Sequence, residues 1–384
     1  MNKASSNGAG SGRTLRCGAV GVGRMGRHHA RVYAEMDGVE LVGVVDADEK
    51  TARAIAEKHN TRAFANEREL LAAGVDAVSI ASPTTAHRKC AEPFLEAGVA
   101  CLIEKPLAQT AQESEALMAM AEKSGACLMV GHIERFNPVM RAMRKAAASD
   151  DDPEGRQIGR KLIPRFIEVH RVSPMTFRSV DIGVVMDMMI HDLDVVLMLM
   201  GGREPDEVQA AGVAIVTEHE DLCNARLTFK MPEGTCVANI TASRLAMKTE
   251  RVARITGENG YIKIDYAAKQ GLIIKRTANE LQMRQVREEL RAGKDLTDLN
   301  WQDLVNLEPL VIDNAEPIVM EIEEFLDAVR SGRRPEIDAS AGMANVRTAE
   351  RIVAAIREFM GDSEGSPQAK IHVGAGLRTP APTR

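Results

Sequence analysis

In LRCGAVGVGRMGRHHARVYAEMDGVELVGVVDADEK (residues 15–50), three glycines stand between an apolar run and a helix-patterned segment, and a second apolar run ends on an aspartate. Few chain geometries accept that order. Leu15 to Val20 reads as a strand, Arg24 to Met36 as a helix, and Val39 to Val45 as a strand buried on both faces. Gly21-Val22-Gly23-Arg24-Met25-Gly26 matches the turn that receives a dinucleotide pyrophosphate. The first glycine makes the turn, the second lets phosphate approach the backbone, and the third lets helix and strand pack closely. The helix that follows offers free N–H groups and the positive end of its dipole. Asp46 lies 20 residues beyond Gly26, where a carboxylate can hold a ribose 2′-hydroxyl. It would repel a 2′-phosphate, so the expected cofactor is NAD rather than NADP.

The alternation continues to about residue 135. DAVSIAS (76–82), ACLIEKP (100–106) and CLMVGHI (127–133) are buried strands separated by helices near 86–97 and 109–124. Such βαβ units give a parallel sheet with ligands beyond the carboxyl ends of its strands. That edge gathers Ser82-Pro83-Thr84, Glu104-Lys105-Pro106, His87 and His132 beside the glycine loop. His28 and His29, on the first helix, read as surface and packing residues.

After Pro138 the pattern changes. A helix over 138–148 and the polar link ASDDDPEGRQIG lead into RFIEVHRV, and later come alternating runs at 206–217, 223–230, 235–242, 251–256 and 261–265. These suit an antiparallel sheet with one wet face. QVREELRAGKDLTD reads as a solvated helix or loop, and two amphipathic helices close the region, the second with Ser340 as N-cap. The expected fold is α/β: an N-terminal parallel-sheet Rossmann domain over 14–137 and a C-terminal α+β domain with a mostly antiparallel open sheet over 138–360. Loose tails are expected at 1–13 and 361–384.

Composition narrows the partners. Acids and bases are interspersed at a net charge of −6, so no nucleic-acid partner is implied. No run of 18 apolar residues exists and the N-terminus lacks an apolar signal core, so a cytoplasmic protein with no membrane partner is expected. The six cysteines have no metal spacing and sit mostly in apolar runs; they read as reduced core residues, and no metal is expected.

The most informative helix is VVMDMMIHDLDVVLMLM (184–200). It is nearly all apolar, yet Asp187, His191 and Asp194 fall within about 60° of arc at 3.6 residues per turn. Buried ionisable groups must pair or face a cleft.

GAVGVGRMG, ASPTTAH, EKPL and this aspartate-x-x-x-histidine helix together resemble the Gfo/Idh/MocA family of oxidoreductases. The resemblance implies a catalytic set of Lys105, Asp187 and His191, a Lys105-Pro106 bond that is often cis, and a homodimer or homotetramer built through the open sheet face. It implies cofactor contacts from Gly21, Gly23, Arg24, Met25, Gly26, Asp46, Ser82, Pro83, Thr84, His87, Glu104 and Lys105. VGHIERFNP (130–138) and the stretch 170–201 are similar to the branch of UDP-N-acetylglucosamine 3-dehydrogenases. That similarity implies NAD-dependent oxidation of the 3-hydroxyl of a UDP-N-acetylhexosamine. Arg171 and Arg178 are then expected at a diphosphate, Arg135 and Asn137 at the sugar or nicotinamide. Chemically, Lys105 suits polarisation of the reacting hydroxyl. His191, whose ordinary pKa lies near working pH, suits its proton, with Asp187 orienting the imidazole. A dehydrogenase of a free polyol such as an inositol stays open. So does a non-catalytic NAD-binding regulatory protein, although it would need neither Lys105 nor His191.

Overall fold

The structure, a computed structural model, describes residues 13–147, 162–177, 181–258, 260–278 and 280–360. Residues 1–12 and 361–384 of the expected tails, the polar link and Arg178 lie outside the described residues.

The N-terminal half alternates strands and helices: β1 (Leu15–Val20), α1 (Gly26–Glu35), β2 (Val39–Val45), α2 (Glu49–Lys58), β3 (Arg62–Phe64) and α3 (Glu67–Ala72). Then come β4 (Ala77–Ile80), α4 (Thr84–Glu96), β5 (Ala100–Glu104), α5 (Ala111–Ser124) and β6 (Leu128–Gly131). The six strands form one parallel sheet in the order β3-β2-β1-β4-β5-β6. Every residue of β4, β5 and β6 is buried, as a sheet covered on both faces requires. The strand order reverses between β1 and β4, which opens the crevice where an α/β sheet binds its ligand.

A short 3-10 turn at Ile133–Phe136 and α6 (Pro138–Ala147) lead out of this sheet. The second sheet contains β7 (Pro164–Val172), β8 (Glu207–Val213), β9 (Leu222–Met231), β10 (Gly234–Ser243), β11 (Glu250–Gly257) and β12 (Gly260–Asp265). It is completed by β13 (Gln270–Arg276) and β14 (Val305–Pro309), in the order β14-β13-β12-β11-β7-β10-β9-β8. Only the β10–β7 pairing is parallel. Strands β13 and β14 were not anticipated; β14 (VNLEP) is too short and polar to show alternation, as befits an edge.

α7 (Ile190–Leu199) lies between β7 and β8 in sequence, and α8 (Glu280–Arg291), α9 (Pro317–Ser331) and α10 (Ala339–Met360) follow β13. One sheet face buries Ile167, Leu227, Phe229, Ile240 and Ile264 in a core shared with Val139 of α6, Leu193 of α7 and Ile352 of α10. By alternation, Phe166, Val237, Leu272 and Ile274 face the other way, among Glu168, Arg226, Asn239 and Lys263.

Two expectations are corrected. The second domain does not run unbroken over 138–360, because Ile318, Ile322, Phe325 and Leu326 of α9 join the core of the first sheet. Amphipathic spacing says that a helix must cover an apolar face without saying whose. The cap of α10 is Asp338, whose Oδ1 accepts the Ala341 N–H at 2.9 Å; Ser340 donates its hydroxyl to that carboxylate at 2.6 Å and accepts from Arg334 at 2.8 Å.

Candidate active site

The glycine loop follows β1 directly. Gly21 has φ +78°, and a Cβ there would stand 2.4 Å from the Ser82 nitrogen. A Cβ on Gly26 would lie 1.9 Å from the Gly21 carbonyl oxygen, so both positions exclude a side chain. Gly23 instead faces open space, with nothing within 4 Å of where its Cβ would be. α1 begins after Met25 with no side chain capping it, leaving its first N–H groups free for an anion. Arg24 is exposed at the tip of the loop. Asp46 Oδ2 accepts the Val22 N–H at 2.8 Å and Oδ1 the Asp48 N–H at 2.9 Å. These bonds tie the end of β2 to the glycine loop and leave each oxygen a second lone pair. Half-buried Ser82 and Thr84, with exposed Pro83 between them, close the other side, and the buried Ser82 Oγ has no partner. Tight glycines, an uncapped helix start and an unsatisfied hydroxyl fit a dinucleotide.

His87 was expected to line this crevice and instead braces it. Its Nε2 lies 2.9 Å from the Ser82 carbonyl and its Nδ1 3.0 Å from the Pro106 carbonyl. The ring is buried and joins the loop after β4 to the loop after β5, where the Lys105-Pro106 peptide is cis. Burial lowers the His87 pKa, although both carbonyls favour the charged ring. Glu104 also turns inward: Oε1 meets His29 Nε2 at 3.1 Å and Oε2 accepts the Lys105 N–H at 3.2 Å. It therefore stiffens the turn that carries Lys105 rather than lining the crevice, because side chains alternate along β5.

Lys105 reaches across to the second domain. Its Nζ donates to the Asp187 carbonyl at 2.9 Å and lies 3.9 Å from the carboxylate. Asp187 sits in a single π-helical turn, Val185–Met189, that opens into α7. Such wide turns are frequent at functional sites and break the stacking of side chains four apart. Accordingly, no side-chain hydrogen bond joins Asp187 to His191 among the described residues, and Asp187 meets Lys105 instead. His191 is half-buried, and its Nδ1 is buried without a partner. Burial, then the cations Lys105 and Arg171, hold its pKa well below 6.5, so it is an uncharged imidazole at neutral pH. Burial also lowers Lys105 below its ordinary 10.5, partly offset by Asp187 and Glu104.

Two further acids of α7, Asp192 and Asp194, are taken up by arginines. Arg135 forks onto Asp194 at 2.7 and 2.6 Å. Arg171 forks onto Asp192 at 2.6 and 3.0 Å and reaches Glu134 at 3.0 Å. Burial works against both arginine charges, but the carboxylates outweigh it and hold each guanidinium above its ordinary range. Asn137 donates to Glu134 Oε2 at 3.1 Å and accepts the Val139 N–H at 3.1 Å. Arg135, Asn137 and Arg171, expected at the substrate, thus make these contacts inside the protein. An arginine before a site looks the same whether its carboxylate partner is a ligand or the next helix.

Comparison with known proteins agrees with this layout. Residues 15–132 match the model of an oxidoreductase family with an NAD-binding Rossmann fold, and residues 170–263 match the GFO/IDH/MocA C-terminal domain. The UDP-N-acetylglucosamine 3-dehydrogenase of Acidithiobacillus ferrooxidans is 36% identical over 347 residues, 90% of this chain and 98% of that protein. The chain belongs to the Gfo/Idh/MocA family of oxidoreductases. A crystal form of that same dehydrogenase superposes with TM-score 0.75 at 35% identity, covering 90% of this chain and 98% of its own. The inositol 2-dehydrogenase of Rhizobium meliloti is 26% identical over 349 residues, 90% of this chain and 98% of that protein. As a Gfo/Idh/MocA member the chain is an NAD-dependent dehydrogenase, and Lys105, Asp187 and His191 stand at the junction of its two sheets. No described helix is long and apolar enough to cross a membrane.

The arginine forks make a direct prediction. Arg135→Met leaves the Asp194 charge buried and alone, at an expected cost of about 3–5 kcal/mol in urea unfolding. Arg135→Met combined with Asp194→Leu should recover most of that stability yet remain slow in turnover, because nothing then fixes α7. A single variant as stable as the parent would show that the pair is no strut.

Proposed function

We propose that this enzyme oxidises a secondary hydroxyl of a sugar, specifically the 3-hydroxyl of a UDP-N-acetylhexosamine. The observation that carries the reading is the Lys105 ammonium held at the Asp187 carbonyl, one turn before an uncharged His191 with an unpartnered ring nitrogen. NAD, when bound, supplies the hydride acceptor. The glycine loop, Asp46 and the Ser82-Pro83-Thr84 edge hold it, and His87 keeps the two flanking loops in register. Lys105 donates to the substrate oxygen and stabilises the negative charge that develops there. His191 accepts the hydroxyl proton, for which a neutral imidazole is ready at any pH near 7. Asp187 fixes the position of Lys105. The sugar nucleotide rests on the likeness to the Acidithiobacillus enzyme along nearly its whole length.

A free polyol is the second reading. It is favoured by the loss of Arg171 as a diphosphate ligand, since both its nitrogen contacts are to Asp192 and Glu134. Turnover of UDP-N-acetylglucosamine with NAD at least about tenfold more efficient than that of myo-inositol supports the first reading; the reverse order supports the second.

NAD should bind at least tenfold more tightly than NADP, about 1.4 kcal/mol, and Asp46→Ser with Ala47→Arg should move the preference toward NADP. Equal affinities by calorimetry would remove Asp46 from the ribose.

Lys105→Met and His191→Asn should each lower kcat by about 10²–10⁴ with little change in NAD affinity. Because burial removes His191 from titration near neutrality, kcat should stay flat from about pH 6 to 8. It should then fall as Lys105 loses its proton, and Lys105→Met should abolish that alkaline limb. A rate that rises through the same range would make Lys105 the base.

The open face of the second sheet suits a contact between copies of this chain. Half-buried Phe166, Val237, Leu272 and Ile274 lie there among charged and amide side chains, a mixed face of the kind that oligomers bury. Light scattering should give a multiple of 41.7 kDa, a dimer or tetramer; the single-chain mass at micromolar concentration would refute this.

A further inference from the structure

One buried acid has no part in this chemistry. Glu321, on the face of α9 that packs against the first sheet, is fully buried, and neither of its carboxyl oxygens has a hydrogen-bond partner. It shares a pocket with His29 of α1 and Glu104 at the end of β5; a polar atom of each lies within 4.8 Å of the other two. The rest of the pocket is satisfied in one direction. Tyr33 and Ser79 hydroxyls meet at 2.7 Å, Ser79 Oγ meets His29 Nδ1 at 3.0 Å, and His29 Nε2 meets Glu104 Oε1 at 3.1 Å. Donation along Tyr33, Ser79 and His29 leaves Glu104 as the anionic end, and its other oxygen takes the Lys105 N–H.

Nothing in that chain donates to Glu321. The titratable groups facing it are His29 and Tyr33 from α1, Glu104 from β5 and Asp194 from α7, the last already held by Arg135. An ionised Glu321 would therefore sit without a cation or donor opposite another carboxylate, and like charges in so dry a site do not both ionise. As a neutral acid, in contrast, it adds no second charge to the pocket it shares with Glu104. Burial and the nearby Glu104 and Asp194 push its pKa well above the ordinary value.

We propose that Glu321 is a positioning residue that remains a neutral acid beside Glu104, so that the pocket behind Lys105 carries one negative charge instead of two. Glu104 is the residue before Lys105 and offsets part of the burial that lowers the lysine. A second full negative charge would hold Lys105 more firmly protonated and shift the pH at which it stops donating to the substrate oxygen. The last step rests on the role of Lys105 proposed above; the protonation of Glu321 does not.

Three measurements test this. The infrared difference between the parent and Glu321→Gln at pH 8 should contain the C=O stretch of a protonated carboxyl. In thermal unfolding the parent should lose stability as pH rises from about 4.3, where the unfolded chain ionises this group, toward the raised value in the folded chain. Glu321→Gln has no such loss, so its Tm should gain on the parent between about pH 5 and 8. Glu321→Leu removes the polar carboxyl beside Glu104 and strengthens the field of Glu104 at Lys105, so the alkaline limb of kcat should move up by about 0.5 pH unit, and Glu321→Gln should restore it.

A missing carboxyl band overturns the proposal, as does a Tm difference that shrinks with pH. A limb unmoved by Glu321→Leu makes Glu321 merely structural. One equivalent of a divalent metal per chain in the parent, lost in Glu321→Gln, would make the trio a metal site instead. The infrared and thermal arms use no substrate, so an intact band with no Lys105 limb would overturn only the catalytic reading.

Discussion

The two buried arginine forks are the interaction on which the site depends. Arg135 and Arg171 come from two different segments, the end of the first domain and a central strand of the second sheet, and grip Asp194 and Asp192 of that one helix. His191 precedes the first of these acids. With both forks closed, α7 can neither slide nor turn, and the π-helical turn at its start holds Asp187 against Lys105. Glu134 accepts from Arg171 as well, so the short turn carrying Arg135 is tied to β7 through the same guanidinium.

The first sheet makes the other half of the site through similar economy. α1 presents its uncapped start to the crevice, while His29, one turn further on, enters the pocket behind Lys105. α9 then covers α1 from outside and carries Glu321 to the same pocket. The return of the chain to the first domain after the second sheet is thus more than a topological detail. It places an acid beside Glu104 that no segment of the first 140 residues supplies.

Local chemistry was readable from the sequence and long-range pairing was not. The glycine loop, Asp46 and Glu104-Lys105-Pro106 are short motifs whose geometry is set within a few residues, and they stand where strand alternation put them. Arg135 and Arg171 were read as substrate ligands because their partners lie 59 and 21 residues away. A clue was present: HDLD in a nearly all-apolar helix contains two acids more than the chemistry needs, and those acids required cations. That Asp187 meets Lys105 rather than His191 is hidden for a different reason, since no periodicity argument foresees a π turn. Glu321 falls four residues before Phe325 and three after Ile318, on the buried stripe of its helix, yet glutamate in such a helix is ordinarily assigned to water.

The ionic struts also explain why the interior of this site is charged at all. Apolar replacements of similar volume would pack α7 at comparable or better stability, because desolvation consumes much of what a buried ion pair contributes. Apolar contacts, however, are tolerant of rotation about the helix axis, whereas a guanidinium forked on a carboxylate fixes both distance and plane. A displacement of about 1 Å between reacting groups can cost 10²-fold in rate, which is larger than any stability the pairs forgo. Two guanidiniums set against Asp192, Asp194 and Glu134 therefore serve position rather than cohesion. The same logic extends to His87 and Glu104, which are spent on holding loops. Lys105, by contrast, is placed by the Asp187 carbonyl, and the His191 Nδ1 is left without a partner.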